Sequence, residues 1–315
     1  MIHYRRLSVF GLALLSLVEA YAAIARPEMA MKQGLPAESP TIVPRDGVTS
    51  AENTRAPRDR WVPPDIDTIP PPAAPSISCS LPDVISRTGT QIQDLVHNLD
   101  RISATEIIEH ENVGRSGNLL RPDVHKFNYV FSLKEGSDGY MSSEEFRSRD
   151  INPNQSPDDV VTANMPSGVL VFHPNYVTNF RMSCEGLGNW RDQSAWQIRF
   201  EERPDCACNM SVIIIGGKTY NVRFRGIAWI LADSYQLVHM EMDLAEAIPK
   251  IRLRLYHQVF EYRFVSFPKS DAGFWLPLSV GLYMDFRGHR FYRRHTYVDF
   301  KLFSINVQQQ MRRLR

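Results

Sequence analysis

"GIAWILADSYQLVHMEMDL", Gly226 to Leu244, decides how this chain is read. It has the form of two strands joined by a polar turn. On the second strand Val238, Met240, Met242 and Leu244 point one way, and Leu237, His239, Glu241 and Asp243 the other. A row of soft apolar side chains faces either a core or a binding surface.

Outward from this hairpin most segments carry the same period of two. "HKFNYVFSL" alternates Phe127, Tyr129, Phe131 and Leu133 against Lys126, Asn128 and Ser132. "SAWQIRFEE" alternates Trp196, Ile198 and Phe200 against Gln197, Arg199 and Glu201. "SVIIIGGKTYNVRFRG" puts a Gly-Gly-Lys turn between two strands, and "LPLSVGLYMDF" turns at "RGH" into "FYRRHTYVDFKLF". "SSEEF" near Glu144 and the stretch from Asp158 to Val177 are less regular and read as short helices or lids. Before the strands, "SLPDVISRTGTQIQDLVHNLDRIS" places Val84, Ile85, Thr88, Ile92, Leu95, Val96, Leu99 and Ile102 on one helical face. The fold class is mainly β (α+β). One N-terminal amphipathic helix lies against a curved antiparallel half-barrel, a meander of about ten strands. A helix is about 10 Å wide and a ten-stranded sheet about 45 Å across, so one helix covers two or three strands. Something else covers the Met240 face: a lid or a ligand.

The chain has 315 residues and a net charge of +1, so no bulk field points to nucleic acid. Arg5 and Arg6 precede the apolar run "LSVFGLALLSLV", and "AIA" at Ala23 to Ala25 has a small-x-small cleavage form. Residues 1–25 therefore read as a Sec signal peptide, with an uncleaved N-terminal anchor as the alternative, and the destination is periplasmic or secreted. Residues 26–80 hold eleven of the 21 prolines and read as a disordered tether. The folded domain is 81–304, followed by a basic tail, 305–315. An exported chain with four cysteines suggests disulfides, and three pairings are open. Cys206 and Cys208 would be strained against each other, and Cys79 with Cys184 is preferred as a tie from the domain's first residues to its middle.

The hairpin has the pattern G-x-x-W-Ile/Leu-x-x-D-x-x-x-x-Leu/Val, carried by Gly226, Trp229, Ile230, Asp233, Leu237 and Val238. With the export signal and the helix-then-strands order, it resembles the periplasmic lipoprotein carriers and outer-membrane lipoprotein-sorting proteins over residues 80–304. "CEGLGNW", "FWLPLSVGLYMDFRG" and "RRHTYVDFKLFS" are similar to stretches in uncharacterised exported proteins of soil bacteria. The resemblance implies a non-enzymatic protein that holds a lipid or lipoprotein acyl chain in an apolar hollow. Trp229, Val238, Met240, Met242, Leu244, Leu282 and Met284 would then line it. The alternative is an envelope interaction or sensor module whose hollow is filled by its own side chains.

No G-x-S-x-G, H-E-x-x-H or phosphate loop is present, so no catalytic, metal or cofactor site is expected. Alternate residues on a strand lie about 6.8 Å apart, so His239, Glu241 and Asp243 read as a solvated polar face rather than a metal site. Arg287, His289, Arg290, Arg293, Arg294 and His295 crowd one hairpin. They either protect a sheet edge or meet an anionic surface or an envelope protein. Arg290, Arg293 and Arg294 are expected to be exposed, to dock on an anionic membrane or partner, and to matter little for folding.

Overall fold

The computed structural model describes residues 61–302, except 71, 73, 75, 100–101, 137–138, 150–161, 164, 207–210, 216–217 and 268–271. The segments read from the sequence as a signal peptide, the first part of a tether and a basic tail lie outside the described residues. A single α-helix among them, α1 (Leu81–Leu99), precedes twelve strands. These are β1 (Ile102–Asn112), β2 (Asp123–Glu135), β3 (Met141–Arg149), β4 (Phe180–Trp190), β5 (Gln193–Glu202) and β6 (Val212–Ile215). They continue as β7 (Lys218–Asn221), β8 (Phe224–Leu231), β9 (Leu237–Leu244), β10 (Leu253–Phe267), β11 (Ala272–Phe286) and β12 (His289–Leu302).

Ten strands form one antiparallel sheet in the order β3-β2-β1-β12-β11-β10-β9-β8-β5-β4. The sheet is open and does not close into a barrel. It is also not a simple meander, because the last strand returns to pair with the first, Glu106 opposite Tyr297. β6 and β7 leave the sheet as a separate hairpin. "SSEEF" is part of β3, an edge strand whose Tyr129-side register places Arg147 over the sheet's inner face. The irregular reading of that stretch came from its charge, which an edge strand carries readily.

The two faces of the sheet have different covers. α1 buries Val84, Thr88, Ile92, Leu95, Val96 and Leu99 against the inner face, as its spacing requires. The second cover is a 3-10 segment, Met165–Phe172, whose Val169 and Phe172 are 1% and 0% exposed. Gly168 lets it approach: a Cβ there would stand 2.6 Å from the Phe260 ring and 3.2 Å from Met240 Cε. The segment is pinned at its far end by Tyr176, whose hydroxyl accepts from the Met141 N–H at 2.6 Å, and by Asn175, which donates to Glu135.

The outer face is covered by residues assigned from the sequence to the tether. Asp65 caps a 3-10 turn, Ile66–Thr68, and Ile66 is fully buried in a cluster with Ala195, Ile227, Trp229, Leu231 and Val238. Asp67 pairs with Arg225 at 2.8 Å, Ala74 bridges to Leu187, and a disulfide joins Cys79 to Cys184. The tether reading of 61–80 is thus corrected. Composition averages over the whole Pro-rich segment, whereas Trp61, Ile66 and Ile69 are enough to seat its last part on an apolar surface.

Candidate functional site

The inner face brings Met240, Met242, Leu282 and Met284 together, at 0–5% exposure, with half-buried Leu244 beside them. Trp229 and Val238 are not there. Trp229 pairs with His239 and Ile230 with Leu237, so Val238 is the extra residue of a bulge. The bulge resets the alternation, and Leu237, not Val238, joins the inner face. The row is covered by the 165–172 segment, with Gln258 Nε2 donating to Met165 Sδ at 3.9 Å. A cavity of about 310 Å³ remains between α1 and β9–β11. Leu95, Val169, Leu237, Tyr262, Phe264 and Trp275 form most of its apolar wall.

Beside the apolar row the inner face carries a buried polar cluster from β1, β3 and β12. Glu106 is fully buried and receives Arg147 through both Nε and Nη2 (2.9 Å for the latter). Burial alone would raise the Glu106 carboxyl; the bonds from Arg147 and His295 outweigh it and hold it below the usual value. His295 Nδ1 lies 2.7 Å from Glu106, and its Nε2 lies 2.8 Å from Thr162 Oγ1. Burial pushes the His295 imidazole down, helped by Arg147 and Arg293, so the neutral ring donates to Glu106 and accepts from Thr162. Arg293 donates to Thr162 Oγ1 and to His110 Nδ1, both at 3.2 Å, and Arg147 donates to the Thr162 carbonyl at 3.2 Å. Thr162 stands just before the 165–172 segment, so this cluster anchors the segment's leading end.

The outer face carries a second array, reached from register alone. Asp243 lies opposite His257, and His239 opposite Glu261. Glu241 falls diagonally between the two imidazoles. Glu261, His239, Glu241, His257 and Asp243 thereby alternate at contacts of 3.0, 3.0, 3.4 and 2.5 Å. The Ile66 N–H ends the array on Asp243 at 3.4 Å. Burial disfavours the charged imidazoles, but the carboxylates that accept from them, Glu241 and Glu261 for His239 and Asp243 and Glu241 for His257, outweigh it and raise both rings. Burial likewise opposes the Glu241 charge, yet the two imidazoles hold its carboxyl down at about 2. Trp190 stacks on His239 at 4.1 Å. The expectation of a solvated face is corrected: His239 and His257 are 3% and 0% exposed, beneath Trp190 and the strap at 61–69. No group of three or more His, Cys, Asp or Glu among the described residues is placed to hold a metal ion.

The basic hairpin does not form one patch. Arg290 is exposed, 3.4 Å from Asp285 and over the Trp61 ring. Arg293 is 6% exposed and belongs to the inner cluster; Arg294 is half-buried, opposite Glu109. The expected exposure of Arg293 is corrected by the period of the strand, which turns it toward the hollow. Glu106, Arg147 and Thr162 escaped the sequence reading. A signal for Glu106 existed: it interrupts the apolar side of "ISATEIIEHEN" after Ile102 and Ala104. Arg147 and Thr162 come from segments far away in the chain and had none.

No protein-family model matches the sequence, and no curated protein matches it. Among solved structures it is similar to a DUF1329 family protein from Desulfovibrio piger, at 9% identity and a TM-score of 0.41, over 73% of this chain and 95% of that one. It is also similar to a domain described as an outer membrane lipoprotein-sorting protein domain from Vibrio parahaemolyticus, at 8% identity and a TM-score of 0.34, over 73% of this chain and 100% of that one. Likenesses of this degree concern the fold and do not carry a ligand across.

Proposed function

We propose that this is an exported, non-enzymatic envelope protein that binds a lipid or lipoprotein acyl chain between α1 and the inner face of the sheet. The observation that carries it is the cavity of about 310 Å³, because Val169 and Leu237 in its wall belong to the same apolar layer as Met240. The inner layer is therefore incompletely filled by the chain itself. The volume is at the low end of ligand pockets, enough for one chain segment. Deeper entry requires the 165–172 segment to yield, and Gly168 marks where it is held closest.

The test is titration of the delipidated chain with a fluorescent acyl probe, alongside native mass spectrometry for co-purified lipid. Saturable binding is expected. Gly168→Ala, which drives a methyl into Phe260, should loosen the segment and raise binding. Phe264→Glu, at a wall residue 49% exposed, should lower affinity about tenfold or more with the melting temperature nearly unchanged. Met240→Glu is unsuitable, since it would bury a charge in the core. A specific observation favours a second reading, an interaction module with a self-filled hollow: the covering segment is buried as deeply as any core element. No probe binding by wild type or by Gly168→Ala, and no co-purified lipid, would decide for that module.

A further inference from the structure

The cavity between α1 and β9–β11 is unequal in its chemistry. Its wall is apolar, but its rim is amide. Gln91, Asp94 and Asn98 follow one another along one face of α1, and Gln236 reaches across from the β8–β9 turn to donate to Gln91. Asp94 is the single charged side chain among the described lining residues. Tyr262, 5% exposed, lines the wall, and its buried hydroxyl has no hydrogen-bond partner among the described residues. That hydroxyl is a donor with no protein acceptor among the described residues, and an acceptor on a ligand can take it. Arg147 and Arg293, which suit an anion, lie elsewhere on the inner face, engaged with Glu106 and Thr162.

We propose that the cavity takes an acyl chain carried by an uncharged ester or amide linkage and disfavours free fatty acids and phosphate-bearing amphiphiles. This rests on the acyl-chain reading above. A carboxylate or phosphate at the rim would meet Asp94 with no cation among the described lining residues, a like-charge juxtaposition that selects against the anion. An ester or amide carbonyl instead accepts from Tyr262 or from a rim amide, and an amide N–H donates to Asp94 or Gln91. The sequence left the arginine hairpin open between edge protection and an anionic surface or partner; the cavity points to a neutral headgroup.

Displacement of a neutral fluorescent acyl probe from the full chain, at alkaline pH and low salt, tests this. The competitors are monopalmitoylglycerol, an N-palmitoylated tripeptide amide, palmitate and monopalmitoyl phosphatidic acid. Both neutral compounds should compete about tenfold or more better than both anions, since an exposed carboxylate acts strongly only when salt is low. Whichever neutral compound binds tighter distinguishes an acylglycerol from an acylated protein as the source. Asp94→Lys should remove or invert the preference by improving the anions alone. Tyr262→Phe should weaken the neutral compounds about tenfold without lowering the melting temperature, because it deletes an unmet donor. Palmitate competing as well as the neutral compounds, or unchanged by Asp94→Lys, would overturn the proposal while leaving acyl binding intact. Failure of every compound and of the probe would overturn the acyl-chain reading itself, and this inference with it.

Discussion

The two faces of one sheet hold buried histidines with opposite habits. On the outer face His239 and His257 stand among three carboxylates, Glu261, Glu241 and Asp243, and are raised above the ordinary imidazole value. On the inner face His295 meets one carboxylate, Glu106, with Arg147 and Arg293 nearby, and is lowered. All three rings are almost wholly buried, so burial does not separate them. The sign of the neighbouring charge does. The outer array fastens the strap through the Ile66 N–H, and the inner cluster fastens the cover through Thr162. Each face is closed by a segment of its own chain held through buried charge.

The largest effect should come from the inner cluster. Glu106→Gln removes the buried carboxylate charge facing Arg147 and turns one of its two acceptor oxygens into a donor, and breaking a buried pair in this way costs about 3–5 kcal/mol. Urea unfolding measures it, and a loss below that of an outer-face change would invert the ranking of the two faces. Cys79→Ser comes next, at about 2–4 kcal/mol, since it opens a crosslink spanning 105 residues. It should release the strap from the outer face while leaving the cover in place, which limited proteolysis near Pro72 would register.

Stability against pH sharpens the contrast. The raised His239 and His257 contribute fully below the unfolded imidazole value of about 6.5, and their contribution is lost as pH rises through their folded values. Glu241 contributes above about 4.3 and loses its share only as pH falls toward about 2. The lowered His295 works the other way: its contribution is complete above about 6.5 and is lost as pH falls. His257→Gln should therefore flatten the alkaline side of the profile, and His295→Gln the acid side. Both variants flattening the same side would show that the neighbouring charges do not set these rings apart. The smallest effect belongs to Arg290→Gln, about 0–1 kcal/mol for an exposed pair with Asp285. Arg293→Gln, only three residues away, should be far more damaging, which divides a hairpin that looks uniformly basic in the sequence.

Much of the fold was legible. The period of α1, the strands at 125–133, 194–202 and 276–302, and the hairpin at 226–244 follow from spacing that each segment carries within itself. So did the need for a second cover, which followed from the width of a helix against that of the sheet. The candidate site was legible only as an apolar row. Met240, Met242, Leu282 and Met284 met as alternation requires, but the bulge moved Val238 to the other face, and Trp229 lies there too, in ordinary register opposite His239. A bulge depends on the pairing partner, so one strand read alone gives no sign of it.

The sequence by itself determined which residues alternate, where the amphipathic helix lies, and that apolar surface would exceed what the helix covers. These are local properties, set by backbone period and side-chain polarity. Only the tertiary structure decided what covers each face and which charges meet. Glu106, Arg147, Thr162 and His295 come from four separate segments, and His257 meets Glu241 only through the register of β10 on β9. A buried ion's state depends on whichever charges lie within a few ångströms, and long-range strand pairing sets those neighbours.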